Sequence, residues 1–166
     1  MTIRELLLMT GLYLAALIAV TYFTRSTLRR FIGAFAGGLA ASLFGLGALV
    51  LFERVGLWHV PFDGSPYFLP LLYIGLAVSV MPLYLITWRL ARRFGWKGLA
   101  IFIGIVAIIG PPRDYFYAAT FPEWMVFSPG IAPVLADSAA YIGILLIGHA
   151  VMRLIAGPSL NRPPSG

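Results

Sequence analysis

The chain has no cysteine in its 166 residues, which excludes disulfides, thiolate metal sites, cysteine nucleophiles and iron–sulfur clusters. Charge is scarce too: Asp, Glu, Lys and Arg make up 11% of the chain, against about 25% in an ordinary soluble domain. Histidine occurs twice, as His59 and His149, and no HxxxH, ExxH or DxD spacing brings metal ligands together, so no metal site is expected. P-loop, GxSxG and Rossmann glycine patterns are missing, which removes the common nucleotide-binding and hydrolase classes. No inverted repeat of the transporter kind is evident. Nor do segments of about ten residues alternate in polarity, as membrane-spanning strands would.

What fills the chain instead is apolar. Hydrophobic residues make up 60% of it, and the mean hydropathy is +0.91. A protein of this size buries too small a fraction of its surface to hide so much, so lipid is expected to solvate much of it. Five apolar runs approach the 20 or so helical residues a bilayer core requires: 6–23, 31–52, 68–88, 94–110 and 134–156. The first lacks a small-x-small cleavage site before Arg25 and reads as a retained helix. The fourth is short, ending at Gly110-Pro111-Pro112, and Pro82 is expected to bend the third. The expected fold is an all-α integral membrane protein. It forms one domain over residues 1–166, a bundle of about five transmembrane helices with a folded interfacial loop between the fourth and fifth.

The charges orient this bundle. Arg25, Arg29 and Arg30 follow the first run; Arg89, Arg92, Arg93 and Lys97 follow the third; Arg153 and Arg162 end or follow the fifth. With five spans these groups share one side, and the excess of positive charge makes that side cytoplasmic. Glu5, Glu53, Asp63, Asp114, Glu123 and Asp137 all fall opposite. The expected location is a bacterial inner membrane, with the N-terminus outside and the C-terminus in the cytoplasm. Basic residues clustered by topology, with no continuous stripe, argue against a nucleic-acid partner.

Three places carry candidate roles. In the second run Gly33, Gly37, Ala41 and Gly45 recur at spacing four, a small-residue stripe that suits close helix packing. Between the fourth and fifth runs lies an aromatic outer segment with Arg113, Tyr115 and Trp124. Six aromatics fall between Tyr115 and Phe127, and rings of this kind favour the headgroup region. Asp114, Glu123 and Asp137 gather at the same level and could serve as acid–base groups. The plainer alternative is that Asp137 stabilises a helix N-terminus.

His149 stands well inside the fifth run, with Arg153 one turn further on. An ionisable residue at such depth points either to an interhelical hydrogen bond, to proton transfer, or to ligation of a pigment or haem beside Gly148. No cofactor is required by the sequence; lipid, pigment or haem are the candidates. Two functions follow. One is a non-catalytic multi-pass subunit that packs against other membrane helices, or against copies of itself, and holds lipid or pigment. The other is a membrane-embedded enzyme or binding protein acting on a lipid or isoprenoid at the outer interface.

Overall fold

The computed structural model describes residues 3–61 and 68–157; Asp63 and Arg162 lie outside them. Its elements in chain order are α1 (Ile3–Thr24), α2 (Leu28–Arg54), β1 (Trp58–His59), α3 (Phe68–Thr120), β2 (Val126–Phe127) and α4 (Ala132–Ala156). Among the described residues three helices are long and apolar enough to cross a membrane: α2, α3 from Leu72 onward, and α4. In α1 the apolar stretch Thr10–Thr24 is shorter.

The joints between elements follow from local chemistry. α1 closes as the Thr24 hydroxyl donates to the Val20 carbonyl at 2.6 Å, and Arg25 takes a positive φ of 48°. Thr27 then caps α2, its side-chain oxygen accepting from the Arg30 amide. α2 ends in a paired closure: Leu57 N–H donates to the Phe52 carbonyl and Gly56 N–H to the Glu53 carbonyl. This closure needs the positive φ of 76° that Gly56 supplies.

While the backbone angles at Pro82 stay helical, α3 joins the third and fourth expected runs across a break in helical geometry at Gly95 (φ 66°, ψ −155°). Glycine alone adopts that conformation without strain. There the chain folds back: a Cβ on Gly98 would lie 3.3 Å from the Leu90 carbonyl oxygen. An unbroken helix would separate those two levels by about 12 Å. The arm before Gly95 places Tyr84 beside Ile144 and Trp88 beside Gly157. The arm after it places Gly110 and Arg113 beside Tyr141. The two arms therefore run in opposite directions along α4.

The later arm departs from expectation: it does not stop at Gly110-Pro111-Pro112 but stays helical to Thr120. Proline disfavours helix in the residue before it through contact with that residue's Cβ, and Gly110 has none. The outer segment thus begins as a continuation of α3. It ends as β2, which pairs antiparallel with β1, Trp58 opposite Phe127 and His59 opposite Val126. Neither two-residue strand was visible in the sequence.

α2 packs against both α3 and α4. A Cβ on Gly37 would run into the Gly148 carbonyl of α4, and one on Gly38 into the Ala77 carbonyl of α3. Gly33 faces Ala156 and Met152, Gly45 faces Ile144, and Ala41 is fully buried. The small-residue stripe is thus occupied within the chain. Ala34, Met81, Tyr84, Leu85, Leu145 and Met152 complete the core. Ile101, Ile105, Ile108, Leu135, Leu146 and Leu154 remain exposed on the outside.

Gly37→Leu is therefore expected to lower thermal stability in detergent sharply, because a backbone carbonyl cannot yield to the new side chain. Gly47→Ala, at a position with nothing within 4 Å, should be neutral or slightly stabilising. Equal melting temperatures for the two variants would show that the α2–α4 approach is not this close.

Candidate functional site

At the end of the bundle where α2 stops and α4 starts, aromatic packing builds a floor. Trp58 is buried and donates its indole N–H to the Leu49 carbonyl at 3.0 Å. Its ring meets Phe52 and Phe127 edge-on, with centroids 5.1 and 5.7 Å away. Phe127 stacks on Tyr115 at 4.1 Å with the rings 8° from parallel. Ser128 adds hydrogen bonds to the carbonyls of Leu57 and Gly56. The α3–α4 connection is thereby fastened to the end of α2, and Tyr115 is fixed on the last turns of α3.

Against this floor three polar side chains interlock. Arg113 donates to Asp114 Oδ1 from Nε at 2.9 Å and from Nη2 at 2.7 Å. Tyr141 of α4 donates to Asp114 Oδ2 at 2.6 Å, and Arg113 Nη2 also donates to the Tyr141 hydroxyl. Gly110 makes this possible, since a Cβ there would strike the Tyr141 ring. Arg113, expected only as an interfacial charge, is thus engaged through Asp114 with α4. Tyr13 of α1 lies within the electrostatic field of Arg113 and Asp114.

One turn before Tyr141 on the same face of α4 is Asp137, 8% exposed, whose Oδ2 has no hydrogen-bond partner. It interacts electrostatically with Asp114, Arg113 and Tyr115. The Tyr115 hydroxyl is likewise buried and without a partner. α4 begins at Ala132, so Asp137 sits in its second turn, beyond the free amides of the first. The helix-terminus explanation of this carboxylate therefore carries little weight. Buried polar atoms are normally satisfied, and two unsatisfied ones within each other's field mark a place with spare hydrogen-bonding capacity.

The remaining sequence candidates lie apart. Glu53 receives the Val60 amide at 3.0 Å and pairs with His59 at 3.1 Å, which serves the turn after α2. Glu123 and Trp124 are exposed on the connection, and Glu123 is not among the charges acting on Asp137. Among the described residues no group of three His, Asp or Glu side chains is arranged to hold a metal ion. The sequence linked Asp114 and Asp137 through their shared level. It missed Tyr141, whose signal was its spacing of four from Asp137.

His149 is 4% exposed and its Nδ1 is 3.0 Å from Thr87 Oγ1. Thr87 gives its own proton to the Tyr84 carbonyl, so Nδ1 is the donor and Nε2 carries a bare, unpartnered lone pair. The space beside Gly148 that a flat macrocycle would need is taken by the Tyr84 ring, whose hydroxyl donates to the Ile144 carbonyl at 3.0 Å. Arg153, one turn on, is exposed and does not extend this buried group.

Two variants separate the sites. Tyr141→Phe removes a hydrogen bond to a charged acceptor, worth about 1.5–3 kcal/mol, and should measurably lower the melting temperature. His149→Leu loses one interhelical bond, about 0.6 kcal/mol on average in membrane proteins, but also removes an unsatisfied nitrogen and should change stability less. A larger loss for His149→Leu would reverse this ranking.

No protein-family model, curated protein or solved structure matches this chain, so a functional reading rests on its own residues and their geometry.

Proposed function

We propose that this protein crosses a bacterial inner membrane five times and binds the polar head of a lipid or isoprenoid at its outer end. α1, α2, the two arms of α3 and α4 are the crossings, with the N-terminus outside and the C-terminus in the cytoplasm. The opposite runs of the α3 arms and the grouping of basic residues at one end support that path. Arg29 donates to the Ile155 carbonyl and Arg89 to the Thr24 carbonyl at that end, while Asp114 and Asp137 are at the other. Reporter fusions after Arg30 and Lys97 should read cytoplasmic and a fusion after Pro122 external. An external signal at Lys97 would refute the five-crossing path.

The observation that carries the ligand reading is the buried Asp137 carboxylate with a free oxygen, acting through space on a Tyr115 hydroxyl that is equally free. An unpartnered carboxylate oxygen is a hydrogen-bond acceptor and suits a headgroup that offers hydroxyl or ammonium donors. The exposed Ile108, Ile109 and Leu135 give the apolar tail of such a molecule a surface to lie on. Binding is favoured over acid–base turnover because Asp114 is already committed to Arg113 and Tyr141. A role as a packing subunit stands second, because the stripe that suggested it is filled by α3 and α4 of the same chain.

The test is the lipid complement that co-purifies in mild detergent. The wild type should retain a lipid with a hydroxyl- or amine-bearing head, and Asp137→Leu should lose it several-fold while still melting cooperatively. Identical lipid profiles in the two proteins would refute the binding site. Turnover of that lipid lost on Asp114→Asn would make the protein an enzyme.

A further inference from the structure

The opposite end of the bundle gathers positive charge that the fold leaves uncompensated. Trp88, 6% exposed, donates its indole N–H toward the Gly157 carbonyl at 3.5 Å and so ties α3 to the end of α4. Two guanidinium groups lie over its ring: Arg30 of α2 at 4.0 Å from the centroid and Arg92 of α3 at 5.4 Å. A shared ring keeps the two charges within about 9 Å of each other, close to one Debye length at physiological salt. Arg89 also acts on Arg30 through space, and repels it as Arg92 does.

Arg89 is held in place by the Thr24 carbonyl of α1 at 3.1 Å, and Arg29 by the Ile155 carbonyl of α4 at 2.7 Å. Residues from all four helices thus converge on this end. Among the described residues none of Arg29, Arg30, Arg89 or Arg92 forms an ion pair with a carboxylate; the described arginine–carboxylate pair joins Arg113 to Asp114. Topology alone needs positive charge on this side. It does not need two guanidinium groups over one aromatic ring with a third, fixed on a backbone carbonyl, acting on them. Such an arrangement is stable when an anion sits among them, and planar guanidinium donors match phosphate oxygens two at a time. Phe94 and Trp96, 56% and 73% exposed just beyond the cluster, supply apolar rings at the level where acyl chains meet headgroups.

We propose that Arg30 and Arg92, over the Trp88 ring, form with Arg89 a binding site for the phosphate headgroup of an anionic phospholipid at the cytoplasmic end of the bundle. Basic pockets between helices on this side of a membrane are suited to such headgroups. The site rests on the membrane-crossing reading but not on the outer ligand, and alkaline carbonate extraction reads membrane insertion separately.

The full-length protein in mild neutral detergent is titrated with mixed micelles of phosphatidylglycerol or of phosphatidylcholine with the same acyl chains. Phosphatidylglycerol should raise the melting temperature by several degrees more than phosphatidylcholine. Native mass spectrometry of the wild type should show preferential retention of at least one phosphatidylglycerol, a readout that needs no variant. The Arg30→Gln/Arg92→Gln double variant should lose most of the difference, and Arg54→Gln, at the opposite end, should keep it. Equal responses to the two lipids, or a folded double variant that responds as the wild type does, would overturn the proposal. So would inorganic phosphate reproducing the full shift, which would mean that a free anion and not a lipid is bound.

Discussion

In a bilayer an apolar side chain gains little by exchanging lipid for a neighbouring helix, so helices associate through close packing and interhelical polar contacts. α2 meets that constraint at two successive residues. Gly37 lies against the backbone of Gly148 and Gly38 against the backbone of Ala77, so one turn of α2 touches α4 and α3 at once. Gly143 and Gly148 extend the same logic on α4, where the rings of Phe44 and Tyr84 lie over the bare backbone. Two polar contacts between α3 and α4 depend on such an approach. Tyr84 reaches the Ile144 carbonyl, and Thr87 reaches His149, because no Cβ on Gly148 holds the α3 arm away.

Glycine acts differently in α3. Gly95 reverses the chain within one residue, and Gly110, which relieves the contact with Pro111 only, leaves room for the Tyr141 ring as the returning arm continues through two prolines. Each proline removes a helical donor, and a chain that stopped there would end at Pro111. Its continuation carries Arg113, Asp114 and Tyr115 as an ordered helical turn against α4 and not as a loose connection. The Arg113–Asp114–Tyr141 group therefore depends on a helix running through Gly-Pro-Pro, and on an aromatic floor that joins the α2–α3 and α3–α4 connections.

The two ends of the bundle use their charges in opposite ways. At the end where α4 begins, Arg113 and Asp114 neutralise each other and Tyr141 closes the group, leaving Asp137 and Tyr115 as the described polar atoms with capacity to spare. At the other end arginines repel one another around Trp88 with no described carboxylate to balance them. A molecule that satisfied the first would bring hydrogen-bond donors; one that satisfied the second would bring negative charge.

Composition and hydropathy by themselves determined the all-helical character, the apolar segments and the separation of basic from acidic residues, because those properties depend on local residue type and run length. The spacing of Gly33, Gly37, Ala41 and Gly45 showed a face where backbones can approach, since position along a helix sets its face. Which helix would fill that face was a matter of tertiary arrangement, and the answer is α4 of the same chain with α3 beside it. The sequence ended the fourth helix at Gly110-Pro111-Pro112 because proline is a strong local signal; burial of Pro111 and packing against Tyr141 outweighed it. The β1–β2 pair was illegible because two residues carry no period. Asp137 looked like a helix-terminal charge until the start of α4 at Ala132 placed it a turn deeper. Only the fold could leave its oxygen without a partner, because hydrogen-bond satisfaction depends on atoms far away in sequence.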